Sequence, residues 1–174
     1  MNSQGLSGAN LYMFNHGLST AALFLVTGYL ISRHGSALIS DYGGVEKVAP
    51  VLAGLFLVAG LSSLSLPGLS PFVSELLVMV GAFVHSPWAA AFAVPGIVLV
   101  SIYILWMYQR TMTGPVREGV VGMRDLNVRE ISALAPLFVL IIVLGLFPKP
   151  LLDIINPAVE NTMSEVGTMI RSRT

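Results

Sequence analysis

Glu75 stands in "LSLPGLSPFVSELLVMVGAF", residues 64–83, where every other side chain is apolar, small or hydroxylic. An ionised carboxylate near a bilayer centre costs about 2.5–3.5 kcal/mol on insertion scales. That cost lets the neutral acid compete with the anion, which is what a proton carrier needs. A helix N-terminus close by works the other way and favours the anion. Apart from Arg110, in the anchor that closes one block, no Lys or Arg lies inside an apolar block, so a cationic partner for Glu75 must come from outside the chain. A structural Glu capped by Ser70 or Ser74 is the plain alternative. His16 is the second candidate, because imidazole titrates near neutral pH and can both donate and accept a proton. His16, Ser19, Thr20 and Thr27 follow helical spacing, with Tyr12 one turn before, and form an expected polar stripe on an apolar helix. A histidine satisfied by hydroxyls at a helix–helix contact accounts for that spacing equally well. The expected site is therefore Glu75 and His16 for proton transfer, with Ser19, Thr20, Ser70 and Ser74 as a supporting polar path. His85, at the end of an apolar block, and His34, in a loop, read as interfacial or solvated.

Other chemistry is excluded or unsupported. There is no cysteine, so disulfides, iron–sulfur ligation and thiolate metal sites are ruled out. No two His or carboxylate residues sit at i, i+4 on one helix, and "GLSG" and "DYGG" match no phosphate-cradling loop. Neither a metal nor a cofactor is expected in this chain. Net charge is zero and no basic run suggests nucleic acid.

The elements that must position these residues are membrane helices. Of 174 residues, 55% are hydrophobic and 10% charged, against about 25% charged in a soluble domain. Mean hydropathy is +0.80. Apolar blocks at about 7–32, 49–85, 88–112 and 131–147 predict an all-α integral membrane bundle over residues 1–150. Residues 151–174 read as an amphipathic surface helix restarting near Pro157, or as a tail. Asn127 and Glu130 in "NVRE" predict a capping box opening the fourth block. Trp106, Tyr108 and Arg110 predict an interface anchor closing the third. The first ten residues lack the charged start of a signal peptide, and the expectation is a chain that begins within a longer protein.

The second block has 37 residues, too many for one straight span and too few for two joined by a turn. Pro67 lacks an N–H and clashes with the Ser63 carbonyl, and Gly68 adds backbone freedom. Ser70 as N-cap and Pro71 at the first helical position would restart the helix. Loop charges arbitrate between one broken span and a hairpin. One broken span puts Arg33, Lys47, Arg110, Arg117, Arg124 and Arg129 on one side, with Lys149, Arg171 and Arg173 opposite. That asymmetry favours four crossings, the second discontinuous at Pro67–Gly68, with both ends of the chain outside the cytoplasm.

"MFNHGLSTAALFLVTGYLISRHG" and "DYGGVEKVAPVLAGLFLVAGLSSLSLPGLSPFVSELLVMVGAF" resemble the C-terminal third of the M-type antiporter-like membrane subunits of bacterial NADH-quinone oxidoreductase, respiratory complex I. "YILWMYQRTMTGP" and "DLNVREISALAPL" follow in the family's order and spacing. The resemblance implies the last four helices of a longer set, half of an antiporter-like inverted repeat, in the bacterial inner membrane. It places Glu75 at the proton-accepting position of the broken helix, where the related L and N types usually carry Lys. It places His16 on the histidine of the "HGLS" motif. The implied role is that of a non-redox part of the proton-translocating membrane arm, inactive by itself and driven by quinone reduction elsewhere. Implied partners are L- and N-type neighbours, the preceding part of the same subunit and the lipid bilayer. Similar subunits of membrane-bound hydrogenases or multisubunit sodium/proton antiporters, and a truncated, non-pumping structural fragment, are the alternatives.

Overall fold

One long helix, α1 (Ser3–His34), serves as the spine of the fold. At 1.5 Å per residue its 32 residues span about 48 Å, more than the hydrocarbon core of a bilayer. Asn2 starts it. The Asn2 carboxamide oxygen accepts the Gly5 N–H at 2.8 Å, and its amide donates to the Gly81 carbonyl at 2.9 Å. Gly35 ends it at φ 80°, returning its N–H to the Ile31 carbonyl at 2.7 Å. The remaining helices of this computed structural model, which describes residues 2–171, are α2 (Val45–Val48), α3 (Pro50–Ser63), α4 (Ser70–His85), α5 (Pro87–Met112), α6 (Val128–Leu146) and α7 (Lys149–Arg171). The result is an all-α bundle in which α1, α5 and α6 are long and apolar enough to cross a membrane.

α3 and α4 have 14 and 16 residues, about 21 and 24 Å, so each alone falls short of a 30 Å core. They lie end to end beside α1. Ser62 meets Ser19, Ser70 and Ser74 meet Asn15, and Gly81 meets the start of α1 near Gly5. Rising numbers on α3 and α4 meet falling numbers on α1, so the two halves run antiparallel to one partner as a single interrupted rod. Residues 64–69 are the interruption, with Gly68 at φ 93°. Small residues allow the close approach, as at many membrane helix contacts. A Cβ on Gly8 would lie 2.7 Å from that of Leu77, and a Cβ on Gly145 of α6 would strike the Gly68 carbonyl.

Charge is gathered at the far end of α1, where the 35–49 and 113–127 loops pack together. The Gly44 N–H donates to the Thr113 carbonyl at 3.0 Å, and the Arg33 guanidinium meets the Glu130 carboxylate at 2.5 Å and the Arg124 carbonyl at 2.8 Å. The Asp125 carboxylate accepts the Val51 and Leu52 N–H groups at 2.8 and 3.0 Å, capping α3 from another loop. The expected capping box of Asn127 and Glu130 is present, and Arg110 lies over the Trp106 ring at 4.6 Å. Beneath these loops Val26, Leu30, Leu52, Phe56, Met112 and Leu134 form the apolar core. Asp41 accepts hydroxyl bonds from Ser36 and then Ser40, which hold its carboxyl below the usual range.

Two expectations are corrected here. α7 does not restart near Pro157; it runs without interruption from Lys149, two residues before the expected boundary at 151, to Arg171. Packing on both sides of Pro157 outweighs the one backbone bond that proline forfeits. Asn156 accepts the Ser7 hydroxyl of α1 at 2.9 Å, and Val159 is buried. The end of the 151–174 segment, residues 172–174, lies outside the described residues. His34 is not merely solvated: its ring meets Tyr42 edge-on at 4.5 Å, with Nε2 3.1 Å from the Asp41 carbonyl.

The closest helix contact gives a direct test. A Cβ on Gly81 would lie 2.5 Å from the Gly5 Cα, so Gly81→Val must push α1 and α4 apart. The expected cost is about 1–3 kcal/mol, the usual range for overpacking. It should appear as a lower unfolding midpoint in detergent. Gly54→Ala, where a Cβ meets nothing within 4 Å, should leave that midpoint unchanged or slightly raised.

Candidate functional site

The interruption between α3 and α4 releases backbone groups that would otherwise bond within a helix, and lipid offers them no partner. Part of the demand is met inside the break, where the Leu64, Ser65, Leu66 and Leu69 N–H groups donate to the Gly60, Ser62, Leu61 and Leu66 carbonyls. α1 adds side-chain contacts to both half-helices. The Asn15 Nδ2 group donates to the Ser70 carbonyl at 2.6 Å and approaches the Ser74 Oγ at 3.3 Å. Ser74 donates back to the Pro71 carbonyl at 2.7 Å, tightening the first turn of α4. One turn along α1, the Ser19 and Ser62 hydroxyls lie 2.6 Å apart, joining α1 to the last turn of α3. Asn15, Ser19, Ser62, Ser70 and Ser74 are all buried. Together they clasp both half-helices to the spine.

Ser70 does not play its expected capping role. Leu69 is the residue with extended backbone, φ −108° and ψ 152°, and no side chain caps α4. Ser70 is already helical, so its hydroxyl is not placed to bond the amides a turn ahead as an N-cap would. Its Oγ has no hydrogen-bond partner among the described residues.

Glu75 follows Ser74 and, about 100° further round the helix, faces elsewhere. It is partly buried and lines a cleft of about 240 Å³ with Tyr12 of α1, Ser63 and Leu64 at the interruption, and Met79 and Ile97. A second cleft, of about 160 Å³, places it beside Ser65 and Phe72. Neither serine expected to cap it bonds its carboxylate: the Ser74 hydroxyl goes to Pro71, and that of Ser70 to no atom of the described residues.

The expected polar stripe on α1 divides between two faces. Ser19 belongs with Asn15 and points into the clasp. His16 and Thr20, each one position on and so about 100° round, form a second pair, with Thr20 Oγ1 3.3 Å from His16 Nε2. His16 is exposed in this chain, and its ring stacks on Tyr12 at 5.5 Å. Thr27 only bonds its own helix, donating to the Leu23 carbonyl at 2.7 Å. Tyr12 therefore stands between the Glu75 cleft and the His16–Thr20 pair, while Ser19, Ser70 and Ser74 lie in the clasp. Sequence reasoning missed Asn15 and Ser62. The signal available was position: Asn15 is one helical turn before Ser19, and Ser62 is five residues before Pro67. Among the described residues no three His, Asp or Glu side chains gather as a ligand set.

A family model described as "NADH:quinone oxidoreductase/Mrp antiporter, TM" matches residues 1–114. The chain belongs to that family. It is 59% identical over 167 residues to NADH-quinone oxidoreductase subunit M of Mycobacterium tuberculosis, an alignment covering 96% of this chain and 30% of that protein. It is 36% identical over 162 residues to NADH-ubiquinone oxidoreductase chain 4 of Marchantia polymorpha, covering 92% of this chain and 33% of the relative. Among solved structures it superposes with a TM-score of 0.84 on a chain of respiratory complex I from Thermus thermophilus with bound NADH, at 33% identity. That match covers 91% of this chain and 33% of the other. The resemblance to M-type subunits read from the motifs is borne out, and the chain spans about a third of the length of these relatives.

Clasp and cleft should separate by mutation. Asn15→Leu removes the donor to Ser70 and should destabilise the chain by about 1–3 kcal/mol, the range for a buried polar group left without its partner. His16→Ala, on an exposed face, should shift the unfolding midpoint of the same chain by no more than about 0.5 kcal/mol equivalent. Thermal unfolding of both variants in detergent measures the contrast.

Proposed function

We propose that the chain is part of the proton-translocating membrane arm of an NADH:quinone oxidoreductase, with Glu75 taking up and releasing the proton and His16 relaying it. One observation carries this reading. Glu75 opens from an interrupted helix into a cleft it shares with Tyr12, and Tyr12 stacks on His16. Interrupted helices are where membrane transporters place ion sites, and an intramembrane carboxylate is functional by default. Carboxyl, phenol, imidazole and the Thr20 hydroxyl then form a series of groups able to pass a proton along. Ser19, Ser70 and Ser74 serve this path by holding the interruption that sets the place of Glu75.

In the same reading the chain does no redox chemistry. Quinone reduction elsewhere in the complex changes the charge along a polar axis and drives protonation at Glu75. Partners are L- and N-type subunits, the preceding part of the same subunit and the bilayer of a bacterial inner membrane. The family description also names Mrp antiporters, but relatives named as oxidoreductase subunits favour the first machine. α1, the α3–α4 rod, α5 and α6 make four crossings, forming half of an inverted repeat. Both ends of the chain lie outside the cytoplasm, with the charged 35–49 and 113–127 loops inside, where Lys and Arg accumulate.

Two experiments test this. Glu75→Gln and Glu75→Ala, placed in the full-length subunit, should abolish or sharply reduce proton pumping by vesicles while electron transfer chemistry remains possible. Tyr12→Phe should slow pumping less severely. Wild-type stoichiometry in both Glu75 variants sinks the assignment. For topology, the chain has no cysteine of its own. Single cysteines at Ser40 and Glu118 should react with a membrane-impermeant maleimide only from the cytoplasmic side, and one at Gln4 only from the opposite side. Labelling of Ser40 and Glu118 from opposite sides rules out the four-crossing arrangement.

A further inference from the structure

We propose that Asn15 and Ser70 hold one buried water molecule between α1 and the first turn of α4. Two buried side-chain atoms lack a partner among the described residues, Asn15 Oδ1 and Ser70 Oγ. They belong to the same contact, because Asn15 Nδ2 donates to the Ser70 carbonyl at 2.6 Å. Both residues have no exposed surface.

The orientation of the Asn15 carboxamide is fixed by its neighbours. Rotating it by 180° would press Oδ1 against the Ser70 carbonyl oxygen, two acceptors at 2.6 Å. It would also face Ser74 Oγ, whose proton is committed to the Pro71 carbonyl. Nδ2 therefore stays toward α4, and Oδ1 keeps an unfilled acceptor position. Ser70 Oγ adds a hydroxyl whose proton has no acceptor. One orphan acceptor and one orphan donor on the two residues of a single contact are what one water complements, giving a proton to Oδ1 and receiving one from Ser70. Buried waters settle where two to four such groups converge.

The same inventory argues against a cation. Hard cations gather about six to eight oxygens, commonly including carboxylates. The clasp offers two free oxygens, one of them carrying a proton, and Glu75 lines a different cleft. The water thus completes the bonding of an interruption that protein groups alone leave short by one bridge. The inference stands on the packing of the interruption and does not require Glu75 to carry protons.

The test is a structure of the intact membrane complex containing this chain, at a resolution that shows single ordered waters. Wild type should show one peak within hydrogen-bond distance of both Asn15 Oδ1 and Ser70 Oγ. Ser70→Ala should weaken or lose it, and Asn15→Leu should lose it. An empty clasp, a direct bond between Asn15 and Ser70, or a peak ringed by a full shell of oxygens overturns the proposal. Should Asn15→Leu fail to assemble, wild type and Ser70→Ala decide the matter, since Ser70 Oγ bonds no protein atom.

Discussion

A helix interrupted inside a membrane must find protein partners for the backbone groups it releases, since lipid accepts and donates no hydrogen bonds. The rest of this structure follows from meeting that demand at residues 64–69. Turn bonds within the break meet part of it, and α1 braces the rest by running past both half-helices, its Asn15 amide donating to the Ser70 carbonyl and its Ser19 hydroxyl meeting that of Ser62. The approach has to be close, which accounts for glycine at positions 8 and 81, whose neighbours leave no room for a Cβ. α6 closes the other flank in the same way, with Gly145 against the Gly68 carbonyl. Pro67 and Gly68 open the helix, but α1 and α6 keep it open in one conformation.

Charge is distributed according to the same solvent logic. Ion pairs and carboxylate caps are confined to the ends: Arg33 with Glu130, and Asp125 on the start of α3, at one end; Lys149 with Asp153 at the other. There, water and headgroups stabilise whatever charge is left uncompensated. Between the ends the polar contacts are amide and hydroxyl bonds, which need no counter-charge. Glu75 is the exception, and its neighbours differ in kind from those of the clasp. The clasp is buried and, among the described residues, bonded almost to completion, whereas Glu75 faces a cleft with free volume. Buried, bonded groups hold the interruption, while Glu75 and Tyr12 share the cleft beside it.

The interruption was readable in the sequence because 37 residues are too many for one straight span and too few for two joined by a turn, and Pro67 and Gly68 mark where the helix opens. The capping box at Asn127 was readable because its chemistry is local. The faces of α1 were not. His16, Ser19 and Thr20 all satisfy helical spacing in a list of intervals, yet adjacent residues point about 100° apart, and only the packing partners reveal where one face ends. Asn15 escaped notice for a related reason. An Asn beside a His reads as an accompaniment to the more reactive group, although its amide is the group that reaches α4. Pro157 misled in the opposite direction, since a proline reads as a boundary unless contacts on both sides outweigh its lost bond.

The exposure of His16 ties these points together. A polar side chain halfway along a 32-residue membrane helix is costly against lipid, and residues of this kind face a bundle interior or a wet cavity. Among the described residues His16 is exposed and Thr20 half-buried, while the opposite face of α1 is covered by α3 and α4. In the proposed reading the face that carries His16 is where the preceding part of the subunit docks, so the proton path runs along a seam with one wall supplied here. Tyr12 sits at the edge of that wall, its ring against His16 and its residue lining the Glu75 cleft. A path built on a seam can be wetted or dried by small shifts of one wall, whereas the clasp behind it cannot move without breaking several buried hydrogen bonds. In that reading α1 gives the path a back held by buried hydrogen bonds and a face left for the neighbouring wall.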